Sequence, residues 1–195
     1  MISRPLIFGA SVMLAIAMGM GLYVWHMRSV SGTEFSEANP RSVAPPVSGP
    51  TEQVVLYVAY DDIGVLRAQA SRIPLPEGRQ QRAEELLRAL LGVYLDKSSP
   101  HTLGAGSEVR NVYLVDPGLA VIDINSAFAN SHRSGILVEE LTVASLVQTL
   151  SANIPGITRV KILVDGKERD TLAGHADLTN FYDVAAMNQL ASQLQ

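Results

Sequence analysis

The residues best placed to do chemistry lie near the C-terminal end of the chain, where Asp165-Gly166 is followed by Gly174-His175-Ala176-Asp177. Carboxylates flanking a histidine could form a polar site at a strand end, with His175 as a ligand or a proton carrier near neutral pH. The same residue types also build turns. Glycine relaxes the backbone, a histidine bonds to main chain, and an aspartate caps a helix or closes an Asx-turn. The turn reading is favoured, because no other titratable cluster converges on these positions. His175, Asp177 and Asp165 therefore stand as the candidate polar site, with no catalytic, cofactor or metal residues assigned.

Other reactive constellations are absent from the sequence. His26, His101 and His132 lack zincin spacing. There is no cysteine to serve as thiolate ligand, nucleophile, disulfide partner or lipid attachment point. No G-x-S-x-G elbow occurs. Gly104-Ala105-Gly106-Ser107 is too short to cradle a phosphate, and Gly166-Lys167 precedes Glu168 rather than Ser or Thr. Asp61-Asp62, Glu84-Glu85 and Glu139-Glu140 are adjacent pairs whose side chains diverge, so they read as solvated faces or caps. Asp123, mid-strand, reads as a hydrogen-bonded structural carboxylate.

The elements that must position these residues belong to a chain of 195 residues, 47% hydrophobic and 17% charged, with net charge −4. That charge argues against a nucleic-acid binder and against a polybasic membrane-surface protein. Leu6 to Trp25 is a run of twenty uncharged residues without proline, enough helix to cross about 30 Å of hydrocarbon. It is longer than the apolar core of a cleaved signal peptide. Residues 1–28 are thus expected to form an N-terminal membrane anchor, a single span with its N-terminus inside. Residues 29–53 follow as a linker rich in Ser, Gly and Pro that cannot bury a core.

The alternation and periodicity of the rest predict an α/β domain. VVLYVAY from Val54 reads as a buried strand, and Ile63 to Ile73 could supply an edge strand. Arg79 to Leu95 is a helix with Ala83, Leu86, Leu87, Leu90, Leu91 and Tyr94 on its inward stripe. Glu108 to Val115 and Leu119 to Ile124 form a hairpin around Asp116-Pro117-Gly118. Val138 to Asn153 is a second helix with Leu141, Ala144, Leu146, Val147 and Leu150 inward. Val160 to Val164 is a strand ending in an Asp165-Gly166 turn, and residues 181–195 a terminal helix. The expected fold is an α+β sandwich: a largely antiparallel sheet with two helices on one face.

Four stretches carry a family resemblance: VVLYVAYDD with its following RIP; EELLRALLGVY; VYLVDPGLAVIDINSAF; and LVQTLSANIPGITRVKILVDGKERDTLAGHADL. Together they resemble the GerMN domain of bacterial sporulation and spore-germination proteins, here in a single copy over residues 54–180. The resemblance implies a fold like the ring-building motifs of envelope-spanning complexes and an extracytoplasmic, envelope-associated role. It also implies that the domain is not itself an enzyme. The expectation is a membrane-anchored interaction or assembly module that needs no cofactor and associates with itself or with envelope proteins. The alternative is a peptidoglycan-binding accessory subunit or a cell-wall-related enzyme. Only about one residue in twenty after residue 53 is aromatic, which leaves few platforms for stacking sugars. With the cytoplasmic membrane as its location, protease added to intact cells, with any outer membrane permeabilised, should digest the domain; full protection would contradict that orientation.

Overall fold

The computed structural model describes Met18 and residues 49–115 and 117–193. The expected span from Leu6 to Trp25 lies outside the described residues apart from Met18, as does the linker before Gly49. Among the described residues no helix is long and apolar enough to cross a membrane.

The chain opens with a hairpin of β1 (Thr51–Tyr60) and β2 (Val65–Pro74), paired without a register break from Thr51↔Pro74 to Tyr60↔Val65. Helix α1 (Arg79–Tyr94) follows, then a second hairpin of β3 (Val109–Val115) and β4 (Leu119–Ile124). Short α2 (Ser126–Ser131) and long α3 (Ile136–Asn153) lead to β5 (Arg159–Val164). The chain then forms β6 (Tyr182–Asp183) and α4 (Val184–Gln193).

The α/β class stands, but the strands form two sheets where one was expected. One sheet is β1-β2; the other has the order β3-β4-β5-β6. Within the second, β4 and β5 run parallel. The reason is the α2–α3 crossover, which carries the chain back to the end where β4 began. The sheets stay separate because helix side chains occupy edges where further strands would pair. Val55 and Tyr57 donate their N–H groups to Asn153 Oδ1 and Thr149 Oγ1 of α3, at 3.1 and 3.0 Å. Ser145 Oγ donates to Tyr57 O at 2.6 Å, and Asn153 Nδ2 to Val55 O at 2.7 Å. The N–H of Ala59 is taken by Tyr94 OH of α1 at 2.9 Å. Ser145, Thr149 and Asn153 recur every four residues, so one stripe of α3 stands in for a third strand. Likewise Gln80 of α1 donates to Val112 O and accepts from Leu114 N on the free edge of β3.

The inward stripe of α1 is as expected: its six named residues are all buried. Helix α3 departs from the expected single inward face. From Leu141 to Leu150 every residue is buried, polar ones included, and so is Glu139. The helix is enclosed by β1, α1 and α4, each of which packs on it, as an apolar-all-round helix requires. One continuous apolar core joins both sheets and these helices. Gly118 closes the β3–β4 turn at φ +78°, and an added Cβ would lie 2.6 Å from Gly156 O. Only glycine fits there.

Leu90 is fully buried, whereas Arg88 extends into solvent and pairs with Glu85. Leu90→Ala should cost about 2–5 kcal/mol through lost burial and a cavity. Arg88→Ala should change stability by no more than about 0.5 kcal/mol. Urea melts of both variants give the comparison.

Candidate functional site

Two buried polar centres occupy the interior. The first surrounds Glu139, in the first turn of α3, whose side chain has no solvent exposure. Its Oε2 accepts the N–H groups of Ala173, His175 and Ala176, each at 2.9 Å. Its Oε1 accepts the N–H of Gly135 at 3.1 Å and faces His175 Nδ1 at 2.9 Å. The segment after β5 is wound so that its amides converge on this carboxylate. Leu172 N–H donates to Ala176 O and Leu178 N–H to Asp170 O, both at 2.9 Å. Gly174, at φ +123°, makes the reversal between them. Leu172, Ala176 and Leu178 are buried, so the loop inserts its apolar side chains and presents its backbone donors inward. Burial by itself would raise the Glu139 carboxyl pKa. The His175 side chain and the three loop amides outweigh that and hold it down at about 2.

The second centre is a chain of side chains that sequence reasoning did not identify. His101 Nδ1 pairs with Asp61 Oδ1 at 2.6 Å, and His101 Nε2 with Thr142 Oγ1 at 2.8 Å. The same hydroxyl pairs with His132 Nε2 at 2.6 Å. The order carboxylate, imidazole, hydroxyl is that of a hydrolytic triad. Here it can attack nothing: His101 and Thr142 are buried, and the hydroxyl is occupied by His132 and by Val138 O at 3.0 Å. Burial pushes the His132 imidazole below its ordinary range. Its Nδ1 lies 2.8 Å from Arg133 O. No local pattern announces this chain, because forty residues separate Asp61 from His101 and a further forty-one separate His101 from Thr142. Asp61 also meets Arg133 at 3.3 Å, so one member of the expected solvated pair anchors the loop before α3.

The three residues expected to form one polar site do not come together as a set. His175 is bound to Glu139, with its side chain 41% exposed. Asp177 closes a turn, accepting from Thr179 N–H at 2.7 Å, Thr179 Oγ1 at 2.6 Å and Asn180 Nδ2 at 2.8 Å. The Thr179 and Asn180 donors hold its carboxyl below the usual carboxylate range. Asp165 sits at φ +50° in the turn after β5. There it pairs with Arg110 at 3.1 Å, and Ser126 and Arg110 hold its carboxyl low. A bulge at Arg110 in β3 interrupts the β3–β4 register. The turn at Asp165 and Gly166 serves the β4 side of the sheet, where Gly166 N–H donates to Asp123 Oδ1 at 2.7 Å. The chain beyond it crosses the outer face of β5. Lys161 on that face is buried and donates to Leu178 O and Thr179 O at 2.9 and 2.6 Å.

A half-open cleft of about 320 Å³ lies beside His175, walled by Val143, Met187, Glu140, Asp177 and Tyr182. Tyr182 OH donates to Asp177 O at 2.5 Å. Burial and then the Asp177, Glu140 and Glu139 carboxylates push its phenol up to about 12. Among the described residues no group of three or more His, Asp or Glu side chains could hold a metal ion.

A family profile described as Germane, sporulation and spore germination, matches residues 55–170. A search of curated proteins returned no match. Among solved structures, the tandem GerMN domains of the Bacillus subtilis sporulation protein GerM align at 24% identity and a TM-score of 0.50. That alignment covers 67% of this chain and 45% of the tandem protein, so this chain spans less than half of the two-domain length. The first GerMN domain of the same protein aligns at 23% identity and a TM-score of 0.45, covering 66% and 94%. A Clostridium perfringens protein assigned as a lipoprotein aligns at 18% identity and a TM-score of 0.46, covering 73% and 93%.

The Glu139 carboxyl is held below its unfolded value of about 4.3. The stability it contributes is full above that value and is lost as pH falls toward about 2. Wild type should lose about 3 kcal/mol through this group between pH 5 and 2. Glu139→Gln should remove that part of the pH slope. At neutral pH it should also cost about 2–4 kcal/mol, since an amide cannot accept from all five donors. Urea titrations of both proteins across this range provide the measurement.

Proposed function

This chain belongs to the Germane family of sporulation and spore-germination domains, and from that membership we propose that it is a non-catalytic interaction or assembly module of the cell envelope. The observation that carries the proposal is the fate of its reactive groups. His175, Asp177, Asp165, Glu139 and the Asp61–His101–Thr142 chain are all engaged in bonds that hold the fold. A domain so occupied internally acts through its surface.

In the full proposal Leu6 to Trp25 tethers the domain to the cytoplasmic membrane, and the linker from residue 29 up to the start of β1 at Thr51 holds it outside. The apolar run and the Pro/Ser/Gly-rich stretch after it support that arrangement. Tethering raises effective concentration, which offsets part of the translational and rotational cost of association. A domain that is monomeric when released would then associate on the membrane with itself or with an envelope protein. The ring-building resemblance of the sequence points the same way. The second reading, recognition of peptidoglycan, draws on the cleft beside His175. Its one aromatic wall is Tyr182, whose hydroxyl is already bonded.

The readings separate on His175→Ala. In the assembly reading it removes one partner of Glu139 and lowers stability by about 1 kcal/mol, with no chemistry lost. Arg88→Glu, on the exposed face of α1, probes the surface instead. Melting temperatures and crosslinked complexes from native membranes should show His175→Ala acting on the former. Full stability with abolished wall hydrolysis on purified sacculi would replace the assembly reading with the enzymatic one.

A further inference from the structure

The open edge of the first hairpin identifies a docking surface. In an antiparallel pair, alternate residues direct both backbone polar groups toward the partner strand. Val55 and Tyr57 send theirs to α3, and the Ala59 N–H goes to α1. Val54, Leu56 and Val58 therefore bond to β2, opposite Ser71, Gln69 and Arg67. It follows that Ala68, Ala70 and Arg72, the alternate residues of β2, direct their N–H and C=O groups away from the hairpin. All three are exposed, and these groups have no hydrogen-bond partner among the described residues.

This edge contrasts with the others. Polar side chains of α3 and α1 close β1, Gln80 meets β3, and β6 is two residues long. Strand β2 runs ten residues with no register shift, and its proline stands only at the last position. Bulges, interior prolines, edge charges and covering elements are the usual means of blocking an edge; among the described residues β2 has only its two arginines, which leave an oppositely charged strand free to pair. Between Arg67 and Arg72 lie Ala68, Gln69, Ala70 and Ser71, small or uncharged residues that leave the backbone reachable. A shallow hollow of about 350 Å³ opens there, lined by Gln53, Ala70, Ser71 and Arg72. The Arg67 guanidinium lies 5.0 Å from the Tyr60 ring centre and stays exposed. The strand carries these two positive charges and no carboxylate, in a chain of net charge −4.

Resting on the interaction reading above, we propose that β2 from Arg67 to Arg72 is the docking edge for an extended, carboxylate-bearing segment of a partner protein, which adds to the hairpin as its third strand. Backbone hydrogen bonds to Ala68, Ala70 and Arg72 supply the attachment, and the two arginines select the charge. A second copy of β2 is the wrong partner, since it brings four arginines together with no opposing carboxylate.

The test uses the full chain in detergent micelles with two ten-residue peptides, one repeating Val-Val-Glu-Glu and the other Val-Val-Lys-Lys, so that each carries charge on both faces of the added strand. The Glu peptide should bind at least about tenfold more tightly at low ionic strength, and added salt should shrink that margin. Its binding should slow amide exchange at Ala68, Ala70 and Arg72. Ala70→Pro removes an outward N–H without breaking a hairpin bond, and should weaken binding at least about tenfold with little change in melting temperature. The double variant R67E/R72E should reverse the peptide preference, which keeps the proposal testable should the proline disturb the hairpin. Equal affinities, protection away from β2, or full binding by Ala70→Pro would overturn it. Concentration-dependent protection of the same amides without peptide would hand the edge to a second copy and also overturn it. Crosslinked complexes in native membranes that survive Ala70→Pro unchanged would overturn this edge as the docking site while leaving the interaction reading intact.

Discussion

A carboxylate with no access to water has to be fully bonded or protonated, and that constraint at Glu139 organises the second half of the domain. Five donors meet it: three amides of the segment after β5, one amide before α3, and the His175 ring. Residues 170–178 form neither helix nor ladder, yet Leu172 and Leu178 are as buried as the strands. The carboxylate makes that burial tolerable by receiving amides that no sheet satisfies. Once fixed, the segment covers the outer face of β5 and supplies the carbonyls that hold Lys161.

The same rule explains the division into two sheets. A strand edge inside the domain needs acceptors and donors, and α3 offers them through Ser145, Thr149 and Asn153. Tyr94 extends the arrangement from α1, its phenol pushed up by burial and paired with Ser145. Helix α3 thus has several polar duties, facing β1 along one stripe, the two buried histidines through Thr142 and the C-terminal segment through Glu139. A helix with such duties is buried all round while retaining polar side chains. Those side chains serve the fold.

Legibility in the sequence followed the range of the forces involved. The inward stripe of α1 was readable to the residue, because helical periodicity is local and apolar burial dominates it. The Asp165-Gly166 turn and the glycine that closes the β3–β4 turn at position 118 were readable for a similar reason, since turn chemistry is set by the residues themselves. Strand β1 was recognised from its apolar run, although it begins at Thr51, three residues before Val54. The parallel pairing of β4 and β5 was not readable, because it depends on where a long crossover returns the chain. Nor was the role of Glu139, whose neighbour Glu140 made the pair look like a solvated cap. Four of its five donors lie thirty-four to thirty-seven residues away in a segment without periodicity. Within the candidate site, the turn-forming role of Asp177 was visible locally, whereas the pairing of His175 with Glu139 was a tertiary event.

The central claim is that the Glu139 carboxylate makes an irregular segment part of the cooperative core. Native-state amide hydrogen exchange tests it most directly, residue by residue, at Ala173, His175 and Ala176. Amides of an ordinary surface loop exchange through local opening at almost no free-energy cost. The account predicts that these three exchange only through global unfolding, with protection matching that of β4 and β5 and dropping together in Glu139→Gln. Rapid exchange of the three, while the strands beside them stay protected, would contradict it.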